Sequence, residues 1–528
     1  MRNENLRRVE LAWGASIAAE WAHFVALGVF AYGAGGASAV GIAGLVRMLP
    51  AAIVAPLASS LGDRFRRERF LVAIALAGCC ALGGSAAAFF GHNEVLVFGL
   101  AGVVGVTSTL FRPALQAILP SLARTPEELI ASNGATATIE SLGTLAGPLL
   151  AGVLVSIADP GLVVVVAAAL LLVAAGLLAP VRVEGRIQSA AEAAGSGARQ
   201  LLLAGFRAVA LVPKTRLLVG LLAAQTFVRG CLNVLIVVAV FRVLEVGQGA
   251  VGYLTAALGV GGLIGAFGAL TLEGKRLAVP LGLALVFWGL PIALVAPRPY
   301  LPAAVLLLAV VGAANSVEDV AAFTLIQRVV PDDVLSRVLG LTWGLAMGGV
   351  GLGSIAAPAI VAGVGPRAAF AVVGAILPLL TLITWRRLVA IDREVAVPAA
   401  ELALVGAVPM FAPLSVVAKE HVAGKLTRIV VAADEVVVRA GEPGDRFYVV
   451  AEGELEIAAN GLRRQAGPGD FFGEIALLRD VPRTATVRAT RPSELYALGR
   501  DDFLAAVTGH SAVRAAGEAV VEERLSSG

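Results

Sequence analysis

Long, uninterrupted apolar runs fill the first 390 residues of the sequence. A helix needs about 20 apolar residues to cross the hydrocarbon core of a bilayer, where every backbone N–H and C=O must be paired within the protein. Twelve runs meet this length and predict an all-α polytopic membrane domain. The predicted spans are 11–33, 38–60, 70–91, 95–119, 129–156, 161–181, 217–241, 248–272, 278–297, 300–325, 336–364 and 367–385.

Lysine and arginine are concentrated in alternate connections between these runs. The basic connections contain Arg2 to Arg8, Arg64 to Arg69, Arg124, Arg182 to Arg216, Lys275 with Arg276, Arg328 with Arg337, and Arg386 with Arg387. The opposite connections contain only Arg242, Arg298 and Arg367. Because basic loops stay on the cytoplasmic side, we expect a multi-pass protein of the cytoplasmic (inner) membrane with both termini in the cytoplasm. We expect no cleavable signal peptide.

The twelve predicted spans divide into six and six. The long connection 183–216 separates the two sets, and a short repeat agrees with this division: residues 126–132, just before span five, match residues 331–337, just before span eleven. A duplicated six-span unit is a common plan among transporters. The sequence therefore predicts a pseudo-symmetric helical bundle.

Several ionisable residues lie inside the predicted spans. Such groups are costly in lipid unless they are paired or face water, so they indicate a transport pathway. The candidates for transport and proton coupling are Glu20, Arg112, Glu140, Arg229, Glu318 and Asp319, and His23 and Arg47 lie in the same region. A carboxylate near a cation can exchange a proton as the conformation changes, which makes Glu20, Glu318 and Asp319 candidate proton carriers. The repeat offset places Glu318 and Asp319 opposite Pro113 and Ala114, one residue beyond Arg112, which favours charge complementarity across the pseudo-two-fold axis. The alternative is a fixed salt-bridge cluster that holds a gate shut.

Two motifs in the membrane part resemble those of the major facilitator superfamily. One is Leu61-Gly-Asp-Arg-Phe-Arg-Arg, between spans two and three, and the other is the G-x8-G-x3-G-P-x2-A-G spacing from Gly134 to Gly152. The resemblance covers residues 5–390 and is strongest to bacterial exporters of siderophores, macrolides and lysophospholipids. It implies that Asp63 and Arg64 form a cytoplasmic gate, that spans one, four, seven and ten line a central cavity, and that the glycine motif is an antiporter motif. The alternatives are a simple basic loop and ordinary helix packing.

The composition changes near residue 401. The last 128 residues contain 14 Lys or Arg and 18 Asp or Glu, about twice the charged fraction of the preceding 400. Short apolar or alternating segments are separated by turn sequences such as Gly441-Glu-Pro-Gly-Asp and Asn460-Gly461. This pattern predicts a small antiparallel β-roll or jelly roll with flanking helices.

The segment Gly469-Asp-Phe-Phe-Gly-Glu-Ile-Ala, followed by Pro482-Arg-Thr, predicts a phosphate site within this tail. A glycine turn that leads into a helix presents backbone N–H groups to an anion, and a nearby arginine adds paired charge. The tail closely resembles cyclic nucleotide-binding domains. That resemblance implies that Glu474 accepts from the ribose 2′-hydroxyl, and that Arg483 and the amides around Gly473, Ile475 and Ala476 hold the cyclic phosphate. Thr484 leaves the choice between adenine and guanine open. The alternative is a domain retained only as a scaffold.

Together these features predict a transporter domain at 1–390, a linker at 391–404 and a cyclic nucleotide-binding domain at 405–528. The expected function is secondary active, proton-coupled export of a small amphiphilic solute across the cytoplasmic membrane, regulated by cAMP or cGMP. A transporter-like receptor that moves no solute is the alternative. We expect no enzymatic activity, cofactor, metal or nucleic-acid partner, because no metal cluster, nucleophile motif or nucleotide triphosphate loop is present in the sequence. The bilayer, a small solute and a cyclic nucleotide are the expected partners, and the sequence leaves the oligomeric state open.

Overall fold

The computed structural model describes residues 3–54, 66–122, 126–182, 206, 209–272, 276–297, 300–330, 332–395, 399–414, 416–459, 462–508, 513, 516–520 and 522. The chain divides into two compact units, and the division falls between Asp392 and Arg393. The first unit is helical, and the second contains the β-strands.

The first unit is built from eleven helices of the described segments. They are α1 (Glu4–Val54), α2 (Arg67–Phe90), α3 (Glu94–Leu122), α4 (Pro126–Ile157), α5 (Pro160–Leu178), α6 (Pro213–Val238, extended by a π-helical turn at Ala239–Val243), α7 (Ala250–Leu270), α8 (Ala278–Leu294), α9 (Leu301–Val329), α10 (Asp332–Val364) and α11 (Pro366–Val395).

Ten helices of the described part are long and apolar enough to cross a membrane. One of them, α1, has 51 residues and is interrupted at Gly35 and Gly36, where Gly36 has a φ of 62°. Only glycine adopts this left-handed conformation readily, so it permits a sharp kink. Predicted spans one and two lie on either side of the kink. Helix α8, with 17 residues, is a shorter apolar helix. The structure thus confirms a helical, multi-pass membrane part, and the count of twelve spans stays a prediction.

The two predicted halves meet through closely packed helices. Helix α1 contacts α6 and α10, and α4 contacts α7. Glycines bring the backbones together: a Cβ atom on Gly44 would lie 2.8 Å from the Ser354 hydroxyl oxygen, and one on Gly252 would overlap the backbone of Pro148 and Gly152. Membrane helices pack closely through small residues, because the hydrophobic effect does not drive helices together within lipid and van der Waals contact has to stabilise the packing.

Three glycines of the predicted antiporter motif, Gly143, Gly147 and Gly152, also lie at helix contacts. A Cβ atom on Gly143 would lie 2.6 Å from Ile17, and one on Gly147 would lie 2.6 Å from the carbonyl oxygen of Ala18, both on α1. Gly152 instead faces Gly249, at the start of α7. The motif therefore joins α4 to one helix of its own half and to one helix of the other half. Its identity as an antiporter motif stays a prediction.

The second unit contains two four-stranded antiparallel sheets with flanking helices, which confirms the predicted β-domain. Sheet order is β1-β8-β3-β6 in one sheet and β2-β7-β4-β5 in the other. The elements are α12 (Ala399–Ala407), a 3-10 turn (Pro409–Phe411), α13 (Val416–Gly424), β1 (Thr427–Val431), β2 (Val436–Val438), β3 (Arg446–Glu452), β4 (Leu455–Ala459), β5 (Leu462–Ala466), β6 (Phe471–Phe472), α14 (Glu474–Arg479), β7 (Thr486–Ala489), β8 (Ser493–Gly499) and α15 (Arg500–Thr508).

Two hydrophobic clusters stabilise this unit. One cluster lies between the sheets and includes Val450, Leu455 and Leu495. The other joins the flanking helices to the outside of the first sheet and includes Val405, Phe447 and Phe503. Helix α12 begins inside the segment predicted as the linker, and its Val405 belongs to the core of the tail. The helices before and after the strands are thus packed on one shared aromatic cluster.

Phe447 is the centre of that aromatic cluster. Its ring lies 5.7 Å from Phe411, 5.7 Å from Phe471 and 4.9 Å from Phe503, and it is fully buried. We expect Phe447→Ala to lower the free energy of unfolding of the tail by about 3–5 kcal/mol, because it leaves a cavity among three elements. Denaturant unfolding of the full chain, followed by a probe in the tail, measures this. Leu462→Ala, at a position with 58% exposure, is the control and should change the value little.

Candidate functional site

The phosphate loop predicted in the tail is a sharp turn between β6 and α14. Gly473 has a φ of 96°, and α14 begins at the next residue, Glu474. A Cβ atom on Gly473 would lie 2.6 Å from Nη1 of Arg483 and 2.9 Å from the carbonyl oxygen of Arg446. Both the left-handed backbone and the crowding require glycine at this position. The turn therefore places the start of α14 directly beside Arg483.

Arg483 is buried and held by several acceptors. Its exposed fraction is 5%. Nη1 donates to the carbonyl oxygen of Gly473 at 3.2 Å, and Nη2 donates to that of Arg446 at 2.8 Å and to Oδ1 of Asp445 at 3.1 Å. The guanidinium also lies over the ring of Tyr448, 5.8 Å from its centre. Asp445 itself is 69% exposed, so an anionic ligand could reach the guanidinium by replacing that carboxylate.

The other predicted nucleotide contacts lie along the same turn. Glu474 is almost completely buried, and Ala476 is buried against Gly444, whose missing side chain leaves room for it. Ile475 is half-buried, and Thr484 is exposed. The structure thus brings Gly473, Glu474 and Arg483 together, while Thr484 faces solvent next to them. A cyclic phosphate near the turn and a ribose near Glu474 match the chemistry of these groups.

Tyr448 forms one wall of this region. Its ring stacks on Phe472 at 5.0 Å. Burial raises the pKa of the Tyr448 phenol, and the nearby Asp445 carboxylate raises it further, whereas Arg483 and Arg446 oppose the shift. The phenol is therefore a neutral hydrogen-bonding group at physiological pH.

Arg500, at the start of α15, connects the pocket to the C-terminal helix. Its guanidinium donates to the carbonyl oxygen of Gly444 at 3.2 Å and to Oδ1 of Asp480 at 2.6 Å, and its backbone N–H donates to the carbonyl oxygen of Asp445 at 2.9 Å. The sequence reasoning missed Asp445 and Arg500. The Gly-Glu-Pro-Gly-Asp turn could have indicated a role for Asp445, because the turn ends in a carboxylate. No sequence motif around Arg500 indicated its role.

In the membrane part, the predicted pathway residues form two ion pairs. Nη2 of Arg47 lies 2.8 Å from Oε1 of Glu20, and Nη1 of Arg112 lies 3.1 Å from Oε1 of Glu140. The repeat offset favoured charge complementarity between Arg112 and the carboxylates of Glu318 and Asp319. Arg112 interacts with Asp319 electrostatically, but its ion-pair partner is Glu140, because α3 and α4 are adjacent in the same half.

The two acidic residues on α9 differ from each other. Oδ2 of Asp319 accepts from Nδ2 of Asn315 at 2.9 Å, and Oδ1 of Asn315 accepts from Trp288 and Gln225. Glu318 is buried, and neither of its carboxylate oxygens has a hydrogen-bond partner among the described residues. Arg229 interacts electrostatically with both carboxylates. The predicted gate residues Asp63 and Arg64 lie outside the described residues.

A cavity lies between the two predicted halves. It is lined by residues of α1, α6, α7 and α10. Most of the lining is apolar, and the polar residues are Arg47, Asn233, Thr255 and Ser354. No cluster of His, Cys, Asp or Glu suited to a metal occurs in the part of the chain that the structure describes.

Comparison with known proteins assigns the membrane part. A family model described as the Major Facilitator Superfamily matches residues 11–343, more than half of the chain. The chain belongs to the major facilitator superfamily. A second family model, described as a cyclic nucleotide-binding domain, matches residues 428–510. This member of the superfamily therefore carries a C-terminal cyclic nucleotide-binding domain.

The curated relatives match this chain over short stretches of about 100 residues. A cAMP-dependent protein kinase regulatory subunit of Emericella nidulans is 38% identical over 99 residues, 18% of this chain and 24% of that protein. A cyclic nucleotide-gated potassium channel of Mesorhizobium japonicum is 41% identical over 100 residues, 19% of this chain and 28% of the channel. The chain thus spans about a quarter of the length of these relatives. Among solved structures, the catabolite activator protein of Thermus thermophilus is 28% identical and covers 23% of this chain and 59% of its own, with a TM-score of 0.21.

Proposed function

We propose that this facilitator-type protein is a secondary active transporter that exports a small amphiphilic solute in exchange for protons and is regulated by cAMP or cGMP. The observation that carries this proposal is the presence, in one chain, of a transporter domain and a nucleotide-binding domain with the buried pair Arg483 and Glu474 beside the Gly473 turn. A domain retained only as a scaffold would not require a buried arginine whose guanidinium contacts the predicted phosphate loop.

In the proposed nucleotide complex, Arg483 and the amides around Gly473, Ile475 and Ala476 hold the cyclic phosphate. Glu474 accepts from the ribose 2′-hydroxyl, and Thr484 contacts a guanine base when cGMP is bound. The relatives support this proposal by their names, which specify cAMP dependence and cyclic nucleotide gating. Loss of the Arg483–Asp445 contact would affect the position of α15 through Arg500. This residue begins α15 and donates hydrogen bonds to the carbonyl oxygens of Gly444 and Asp445.

For transport, we propose that Glu20, Glu318 and Asp319 exchange protons, with Arg112, Glu140 and Arg229 as charged partners. Asp63 and Arg64 form the cytoplasmic gate. In this proposal the transporter domain covers 1–390, the linker 391–404 and the nucleotide domain 405–528. In this proposal both termini lie in the cytoplasm, so the nucleotide domain is exposed to cytoplasmic cyclic nucleotides. The resemblance to the siderophore, macrolide and lysophospholipid exporters supports export as the direction of transport and an amphiphile as the solute.

Solute export tests this proposal against the receptor alternative. The purified full chain is reconstituted into liposomes, and a fluorescent single-chain lysolipid labelled on its acyl chain is followed after a pH gradient is imposed. We expect movement of the probe against its own gradient, coupled to proton movement in the opposite direction. A receptor that moves no solute would show neither movement, although nucleotide still bound to its tail.

A further inference from the structure

Asn315, in the middle of α9, joins three helices through its amide group. Its Oδ1 accepts from Nε1 of Trp288 on α8 at 3.2 Å and from Nε2 of Gln225 on α6 at 3.3 Å. An indole N–H can only donate, so the atom of Asn315 that faces Trp288 is its oxygen. The amide nitrogen is thereby turned toward Asp319, and Nδ2 donates to Oδ2 of Asp319 at 2.9 Å. Two neighbouring helices therefore fix the direction of the hydrogen bond that Asp319 receives.

The adjacent carboxyl groups of Glu318 and Asp319 have unequal surroundings. Asp319 accepts from the Asn315 amide, and both Arg229 and Arg112 act on it electrostatically. Glu318 is 1% exposed, its two carboxylate oxygens have no hydrogen-bond partner among the described residues, and Arg229 is the cation that acts on it. Burial of a charge without a hydrogen-bond donor is costly, and a second carboxylate beside it increases the cost. These surroundings favour a proton on Glu318 rather than on Asp319.

The other candidate proton carriers in the membrane helices have cationic partners. Oε1 of Glu20 lies 2.8 Å from Nη2 of Arg47, and Oε1 of Glu140 lies 3.1 Å from Nη1 of Arg112. Protonation of either carboxylate would leave a guanidinium without its counter-ion, which is unfavourable away from water. Protonation of Glu318 breaks no hydrogen bond among the described residues.

We infer that Asn315 is a positioning residue that keeps Asp319 ionised, so that Glu318 alone binds and releases the proton that is exchanged for solute. This inference rests on the proposed transport function and narrows its three candidate carriers to one. When Glu318 ionises, its O–H bond breaks and the proton passes to water. Because the side chain is buried in this structure, its release requires a conformation in which water reaches this part of α9.

Arg229 links the ionisation of Glu318 to helix α6. An ionised Glu318 requires a counter-ion, and Arg229 already interacts electrostatically with both carboxyl groups. Arg229 lies one helical turn after Gln225, on the same face of α6. The residue that attracts the ionised Glu318 and the residue that binds Asn315 are therefore neighbours on one helix. A change in the charge of Glu318 thus acts directly on the contact between α6 and α9.

Few other titratable groups act on the two carboxyl groups. Helix α9 packs against α6, α7 and α8. The charged or titratable residues of these three helices are Lys214, Arg216, Arg229, Cys231 and Arg242 on α6 and Tyr253 on α7. Helix α9 itself adds Arg328 in its last turn. From α3 and α4, Arg112 and Glu140 interact with Asp319.

Infrared spectroscopy of the full chain in a neutral maltoside detergent tests the inference. A protonated carboxyl group absorbs apart from a carboxylate, and its C=O stretch moves to lower frequency when the oxygen accepts a hydrogen bond. Spectra are recorded at pH 7.5, where exposed carboxyl groups are ionised, and at stepwise higher pH. The proteins are the wild type, Glu318→Gln and Asn315→Leu. Asn233→Leu is the matched control, because Asn233 is an asparagine of α6 that lines the cavity between the halves.

We expect the wild type at pH 7.5 to show a protonated carboxyl band at the position of a C=O group without a hydrogen bond, and the band should disappear as the pH rises. Glu318→Gln should lose this band. Asn315→Leu removes the donor to Asp319, so a second protonated carboxyl band should appear. Asn233→Leu should keep the wild-type spectrum.

Four results would overturn the inference: no protonated carboxyl band in the wild type, a band that remains in Glu318→Gln, an Asn315→Leu spectrum identical to that of the wild type, or a hydrogen-bonded band that moves to higher frequency in Asn315→Leu. The last result would assign the proton to Asp319. If Asn315→Leu does not fold, the position of the wild-type band and its loss in Glu318→Gln still decide which carboxyl group holds the proton.

Failure of this inference is distinct from failure of the proposed function. A wild type that exports the lysolipid in a pH gradient but lacks the band contradicts only the inference. A wild type that shows the band, and loses it in Glu318→Gln, but moves no lysolipid contradicts only the proposed transport.

Discussion

Arg483→Gln is expected to weaken cyclic nucleotide binding by about 100-fold or more. The buried guanidinium would make charge-assisted hydrogen bonds to the cyclic phosphate, each worth about 1.5–3 kcal/mol, and every 1.4 kcal/mol corresponds to about tenfold in affinity. Calorimetric titration of the full chain with cAMP and with cGMP measures the change. Arg463→Gln is the matched control, because Arg463 lies on β5 with its side chain 74% exposed.

Arg483 also supports the fold of the turn through the carbonyl oxygens of Gly473 and Arg446, so a second variant is needed. Arg483→Lys keeps a positive charge but cannot make the bidentate contact, and it should bind nucleotide with intermediate affinity. Thermal unfolding of each variant without nucleotide reports any loss of structure. Wild-type affinity in Arg483→Gln, with the tail folded, would contradict the proposed phosphate contact.

Gly252→Leu should cause the largest loss of transport among single substitutions at the contact between the halves. Any side chain here would overlap the backbone of α4 at Pro148 and Gly152. Because the obstacle is backbone rather than a flexible side chain, α7 has to move away from α4, and such overpacking typically costs about 1–3 kcal/mol or more. A cost of that size, about tenfold for each 1.4 kcal/mol, is large compared with the free energies that separate transporter conformations.

Gly268→Leu is the control for this substitution, because it lies on the same helix, is exposed and has no atom within 4 Å of the added Cβ. It removes a helix glycine without creating a contact, so its transport rate should stay near the wild-type rate. Flux of the fluorescent lysolipid in liposomes and the unfolding temperature in detergent are measured together. Equal flux in the two variants would show that α4 and α7 do not need to approach closely.

The parts of the fold that follow from local patterns could be predicted from the sequence. Apolar length located the membrane helices, and the strands of the tail followed from alternation and from turns such as Gly441-Glu-Pro-Gly-Asp. The kink at Gly35 and Gly36 separates predicted spans one and two, but helix continues on both sides of it without a loop. A two-glycine kink leaves no change in composition, so the sequence could not distinguish it from a short connection.

Contacts between distant residues were harder to predict. The Gly473 turn and Arg483 lie ten residues apart and were found by motif, whereas Asp445 joins them from a separate loop. In the membrane part, the pairing of Arg47 with Glu20 depends on how the kink folds the second half of α1 back beside the first. The repeat offset favoured charge complementarity across the halves, and Arg112 does interact with Asp319, but its ion-pair partner at 3.1 Å is Glu140 on the neighbouring helix α4. Pairing follows helix adjacency, which the residue types alone do not specify.

We propose that nucleotide occupancy of the tail alters solute movement through the membrane domain. A ligand shifts a conformational equilibrium only by its differential affinity for the two states, and a tenfold difference supplies about 1.4 kcal/mol. Regulation of this size changes a rate severalfold without acting as an absolute switch.

The most direct test is the flux of the fluorescent lysolipid in liposomes whose exposed tails are supplied with saturating cAMP, saturating cGMP or no nucleotide, for the wild type and for Arg483→Gln. We expect at least one nucleotide to change the wild-type rate severalfold, and neither to change the rate of Arg483→Gln. Identical wild-type rates under all three conditions, with nucleotide binding verified in the same preparation, would contradict the account.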